Sequence, residues 1–157
     1  MRIKPIYALF VVLLFVGGFL VAELFVGGAV AHDGYTRVAP DQAGTVRIDV
    51  ADLPSGDVRF FRFLNYGNQE VKFFVARDRS GTVQVAFDAN EICYKFGRGY
   101  RPEGSWVTCN KCDKAFRIDE INDGGGGCKP IPLHHRVEGG ELVLAEADVL
   151  QGWRYFH

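Results

Sequence analysis

The stretch "VRFFRFLNYGNQEVKFFVARDRSGTVQVAF", residues 58–87, decides the fold. "VRFFRFLNY" and "EVKFFVARD" are aromatic and β-branched runs, the composition that suits a pleated, half-buried surface. Only the polar "GNQ" separates them, so the pair reads as a β-hairpin. Asp78-Arg79-Ser80-Gly81 supplies the next turn, and "TVQVAF", Thr82 to Phe87, alternates with period two as a further strand. An antiparallel β meander follows. Its phenylalanines, Phe60, Phe61, Phe63, Phe73, Phe74 and Phe87, are read as core and cross-strand pairs rather than as a ligand-stacking or electron-conducting row.

Toward the N-terminus, "TVRIDV" from Thr45 to Val50 alternates in the same way and adds a strand, with "DLPSGD" as the turn after it. The polar "HDGYTRVAPDQAG" before it reads as the start of the domain, a solvated linker. Beyond that lies "IYALFVVLLFVGGFLVA", Ile6 to Ala22, uncharged after a basic "MRIK". At about 1.5 Å per residue this run, continued to Ala31, spans a bilayer core of about 30 Å. Ala29-Val30-Ala31 before His32 also has the form of a signal-peptidase site, but the run exceeds the usual signal core, which favours a retained anchor. Residues 1–31 are therefore expected to be a transmembrane anchor or signal peptide, and residues 32–157 an extracytoplasmic domain, since Arg2 and Lys4 stay cytoplasmic by the positive-inside rule. Glu23 lies toward the outer end of the span, from which its side chain reaches the interface.

The 157 residues carry a formal charge of -1 and are 48% hydrophobic, enough for one domain with a real core. No basic stripe interleaved with aromatics exists, which excludes nucleic acid as a partner. At the other end, "RVEGGELVL" reads as a Gly-Gly hairpin returning to the sheet, and "AEADVLQGWRYF" as a short turn or helix closing on Trp153, Tyr155 and Phe156. The fold class is thus mainly β: an antiparallel meander with an irregular Cys/Gly-rich subregion, preceded by one N-terminal transmembrane helix.

That subregion, Asp88 to Pro132, holds ten glycines or prolines and all four cysteines, so it buries little hydrocarbon and needs another source of cohesion. The spacing is Cys93-x15-Cys109-x2-Cys112-x15-Cys128. A C-x-x-C turn points two sulfurs at one centre, and the outer cysteines arrive from flanking loops. "GSWVTC" looks like a strand running into this knuckle, and Gly124 to Gly127 would let backbone pass close to a bulky group or donate amides to its sulfurs. Spacing alone leaves four readings open: two disulfides, a tetrahedral zinc site, an iron-sulfur cluster, and a dithiol redox pair at Cys109 and Cys112.

The run from Ala86 to Leu133, with its "ICY" and "GY" elements, central C-x-x-C and terminal "GGC-x-P-x-P-L", together with the "FFVARDRSGTVQVAFDA" hairpin that leads into it, resembles the FtrD-like family of iron-sulfur membrane proteins. The resemblance covers roughly residues 45–156. It implies an extracytoplasmic, membrane-associated iron-sulfur protein, linked in some bacteria to ferrous-iron uptake with a permease and periplasmic metal-binding or redox partners. Cys93, Cys109, Cys112 and Cys128 occupy the family's cysteine positions and are the expected ligands, with a 4Fe-4S cluster favoured and zinc as the alternative. Many relatives have a C-x-x-C where this chain has Asn90-Glu91-Ile92-Cys93, so Asn90 stands in for a cysteine and position 90 is expected to be dispensable as a ligand.

His134 and His135 follow Cys128 closely, but the paired C-x-H boxes of Rieske centres are missing, so they are read as surface histidines. His32, Asp33 and Tyr35 would form an N-terminal metal motif only after cleavage at Ala31, and are read as linker. No Ser-His-Asp or paired-carboxylate logic is present. The expected role is electron transfer at the outer face of the membrane rather than enzymatic catalysis. The alternative is a non-redox zinc or disulfide-stabilised interaction module.

Overall fold

In the computed structural model, which describes residues 34–157, ten strands and one short helix form among the described residues. They are β1 (Tyr35–Val38), β2 (Thr45–Asp49), β3 (Val58–Leu64), β4 (Glu70–Arg77), β5 (Val83–Phe87), β6 (Tyr100–Glu103), β7 (Trp106–Cys109), β8 (Ala115–Arg117), β9 (Arg136–Glu138), β10 (Glu141–Ala145) and α1 (Glu146–Leu150). The N-terminal anchor or signal segment lies outside the described residues. Among the described residues no helix is long and apolar enough to cross a membrane.

The meander forms as expected: β3 pairs antiparallel with β4 from Val58↔Ala76 to Leu64↔Glu70, and β4 with β5 from Phe73↔Phe87 to Arg77↔Val83. Its turns are fixed by side chains that mimic backbone. Asn65 Oδ1 accepts the amides of Gly67 and Gln69, and Asp78 Oδ1 those of Ser80 and Thr82. Because β4 and β5 lie inside the molecule, both of their faces are covered. Phe61, Phe63, Val71, Phe73, Val75, Val85 and Phe87 enter one core, against β2, β10 and α1, while Phe60, Phe74, Ala76 and Ala86 enter a second. The six phenylalanines are all buried, and burial of each such side chain is worth about 1.5–3 kcal/mol.

Three features depart from the expected single meander. The polar start is not linker throughout, because Tyr35–Val38 pairs parallel to β3, with the Tyr35 ring against Phe60 at 5.8 Å and Val38 packed on the first core. Strand β2 leaves the meander and pairs with β10, which pairs in turn with β9 across the Gly139-Gly140 turn, making a separate three-stranded sheet. The Cys/Gly-rich half is also less irregular than composition suggested. It contains its own antiparallel sheet, β6-β7-β8, whose Tyr100, Val107 and Cys109 close the second core over the meander.

The "CKPIPL" run explains itself at the free edge of β5. The amides of Ile131 and Leu133 donate to Ala89 and Val85, and the Ile131 carbonyl accepts from Phe87. Pro130 and Pro132 fall at the intervening positions, where a strand laid on an edge has no ladder bond to donate. This strap carries Cys128 toward the other cysteines.

Candidate metal centre

Three loops deliver the cysteines. Cys109 is the last residue of β7, and the C-x-x-C is the tip of the β7–β8 hairpin: Cys109 N donates to Lys114 O at 2.9 Å and Asp113 N to Cys109 O at 3.0 Å. Asp113 takes the left-handed conformation that so tight a tip requires, at φ 55°. Cys93 ends the segment after β5 and precedes a single 3-10 turn, Tyr94–Phe96. Cys128 sits in a turn closed by Lys129 N to Gly126 O at 3.1 Å. The glycine run serves that turn in a different way from the expected one: Gly124, Gly126 and Gly127 have φ of 104°, 137° and 62°, while a Cβ at 124 or 126 would meet nothing within 4 Å. Backbone conformation, rather than close approach, calls for glycine there.

The Sγ atoms of Cys93, Cys112 and Cys128 lie within 4.8 Å of one another. Cys93 and Cys128 are 3.7 Å apart, well beyond a bonded S–S of about 2.05 Å, and all four thiols are free. Cys109 is 1% exposed and lies outside this tight trio, yet close enough for its thiol to act on that of Cys93. His134 and His135 are elsewhere: His134 faces Asp148 at 3.2 Å, and His135 sits between the carbonyls of Leu133 and Val83. Neither belongs to the group of converging cysteines.

Sequence reasoning missed how Asn90 is used. This 2% exposed side chain accepts the amides of Ile92 (3.1 Å) and Cys93 (2.6 Å), and donates to the Tyr100 hydroxyl (2.8 Å) and to Cys109 Sγ (3.7 Å). The Tyr100 hydroxyl donates onward to the Cys128 carbonyl at 2.6 Å. One amide thus ties together the segments of three cysteines. An Asn three residues before a cysteine, at the start of a turn, is a recognisable signal for such a cap.

Beneath Tyr100, Asp88 accepts the Tyr100 amide at 2.7 Å and the Tyr35 hydroxyl, and burial pushes its carboxyl up to about 7 against the pull of those bonds and of Lys72. Gly99 is obligatory above it, since a Cβ there would stand 2.1 Å from Asp88 Oδ2.

The donor set fits a thiophilic centre. Its tight group consists of cysteines alone, with no carboxylate or imidazole among them, which is the chemistry of zinc or iron-sulfur rather than of hard cations. Burial first, then the Cys128 thiol and then the neighbouring Cys109 and Cys112, push the Cys93 thiol up to about 12. Without a cation Cys93 holds its proton; a metal ion entering the group would reverse that balance.

A family model described as "Membrane iron-sulfur containing protein FtrD-like" matches residues 53–156. No curated protein and no solved structure matches the chain. The matched region is most of the described domain and contains all four cysteines. The chain belongs to the FtrD-like family of membrane iron-sulfur proteins.

Proposed function

We propose that this FtrD-like protein is a membrane-tethered electron carrier whose iron-sulfur cluster is held by Cys93, Cys109, Cys112 and Cys128 on the extracytoplasmic side. The observation that carries the reading is the convergence of the Cys93, Cys112 and Cys128 sulfurs within 4.8 Å, with Cys109 adjacent. When bound, such a cluster supplies reversible one-electron chemistry. The chain's own residues do the rest. The β7–β8 hairpin tip fixes two sulfurs, the strap along β5 brings the third, and Asn90 caps the fourth from within the core. With every ligand supplied by protein, no coordination position stays open for a substrate, so the protein passes electrons rather than transforming a molecule.

The N-terminal apolar run acts as the tether, and the family resemblance supports a role beside a permease and periplasmic iron-binding or redox proteins in ferrous-iron uptake. A four-iron cluster would spread its ligands, one cysteine to each iron. A potentiometric titration of the purified full chain tests the carrier role. A reversible one-electron wave tracking a visible absorbance supports it, and a protein silent across the range refutes it.

One observation favours a second reading. The 3.7 Å Cys93–Cys128 separation is close to the edge of about 3.8 Å that two thiolates make on one tetrahedral metal with bonds of about 2.3 Å. Four cysteines would then hold a single ion, zinc in the simplest case, and the protein would be a non-redox module.

A further inference from the structure

Cys93 and Cys109 line the wall of a cavity of about 530 Å³. Its charged lining is Lys72, Lys95, Arg98 and Lys111 against Glu70 and Asp88. The acids are already engaged. Glu70 pairs with Arg62 and Lys72, each at 3.6 Å, and Asp88 is 5% exposed and turned to the Tyr35 hydroxyl and the Tyr100 amide. Lys95, Arg98 and Lys111 are exposed and have no carboxylate partner among the described residues. Lys95 and Lys111 lie instead over the rings of Tyr94 (6.0 Å) and Phe96 (4.3 Å). On a chain of formal charge -1 this is a local excess of positive charge, set beside the two buried cysteines that line the cavity. Beside it, Phe96 is 56% exposed and supplies an apolar anchor.

We propose that this cationic cavity is the docking site for the acidic face of a redox partner protein. The proposal rests on the electron-carrier reading above and names the chemistry of the partner. Electron-transfer pairs meet through small interfaces in which opposite charges steer the encounter and a few apolar residues at the centre hold it. Lys95, Arg98 and Lys111 surround such a centre, and having no ion-pair partner among the described residues leaves them available to the partner's carboxylates.

The full-length chain in detergent is titrated with fluorescent polyglutamate and polylysine peptides, read by anisotropy, with citrate as a competitor. Polyglutamate should bind, weaken as ionic strength rises, and lose about tenfold or more in affinity in the Lys95→Glu/Arg98→Glu/Lys111→Glu variant. Lys95→Gln/Lys111→Gln provides a milder second variant, expected to give an intermediate loss. Equal binding of both peptides, or an affinity untouched by either variant, overturns the site. Citrate binding more tightly than polyglutamate would assign the cavity to a small anion and overturn the protein-face proposal.

In a kinetic arm, the reduced protein is oxidised by hexacyanoferrate(III), which takes one electron to become hexacyanoferrate(II), or by cationic hexaamminecobalt(III). The charge-reversal variant should slow the first and not the second. The peptide arm does not depend on a bound cluster, so a colourless protein that still selects polyglutamate refutes only the carrier reading. A coloured protein with no anion preference refutes only the docking site.

Discussion

The side-chain amide of Asn90 donates to the sulfur of Cys109 across 3.7 Å while its carbonyl holds the backbone amide of Cys93 at 2.6 Å. Asn90 is therefore no idle spacer before Cys93: it caps the segment of that cysteine and donates to the sulfur of another.

Asn90→Asp separates these two roles. It keeps an acceptor for the Ile92 and Cys93 amides but removes the donors to Tyr100 and Cys109, and it sets a carboxylate beside a thiolate. The loaded protein should keep its metal and shift to a more negative potential, since a donor to the sulfur favours the more negative state of the centre. Asn90→Ala, which loses all four bonds, should cost about 1–3 kcal/mol in chemical denaturation for the buried groups left unpaired. An unchanged potential in Asn90→Asp would show that the contact with Cys109 tunes nothing.

Cys93→Ser, Cys109→Ser, Cys112→Ser and Cys128→Ser should each strip the metal and loosen residues 88–133, because metal binding by cysteines on three separate loops is folding free energy for those loops. Metal analysis with limited proteolysis checks this. The meander, with a core of its own, should stay resistant in every variant.

Asp88 makes stability depend on pH. Its folded carboxyl is raised to about 7 by burial from a starting value of 3.8, so the folded state holds the proton more tightly than the unfolded state. The stabilising contribution is complete below the unfolded value and is lost as pH rises from about 4 through 7. Melting temperatures measured across this range should fall with pH for this group, and Asp88→Asn should flatten the profile. An identical slope in the variant would remove Asp88 from the account.

The anchor prediction follows from the uncharged run Ile6 to Ala22. In membrane fractions the intact chain should resist carbonate and high-salt extraction. A soluble product beginning at His32 would instead identify the segment as a cleaved signal.

Strands with strong period-two patterns were legible in the sequence. β2, β3, β4, β5 and β10 fall where alternation and turn residues put them, and so does the hairpin strand entering the C-x-x-C. Their partners were less legible. Nothing in "TVRIDV" says that it pairs with β10 rather than joining the meander, because both pairings bury the same Val46 and Ile48 face. β1 escaped notice because its worth lies in long-range contacts, Tyr35 with Phe60 and Asp88, that no local window contains. At the centre, Cys112 lies with Cys93 and Cys128 while its C-x-x-C partner Cys109 stays outside the tight trio, a division that spacing did not show. The clamp through Asn90 and Tyr100 was hidden because a hydrogen bond between residues ten apart has no periodic signature.

The most direct test of the central claim is the visible spectrum of the anaerobically purified full-length chain, taken with iron and acid-labile sulfide on the same sample. The account predicts a brown protein, with iron and sulfide in similar amounts and an absorbance bleached by reductant. A colourless protein that carries zinc, or carries neither iron nor sulfide, would contradict it.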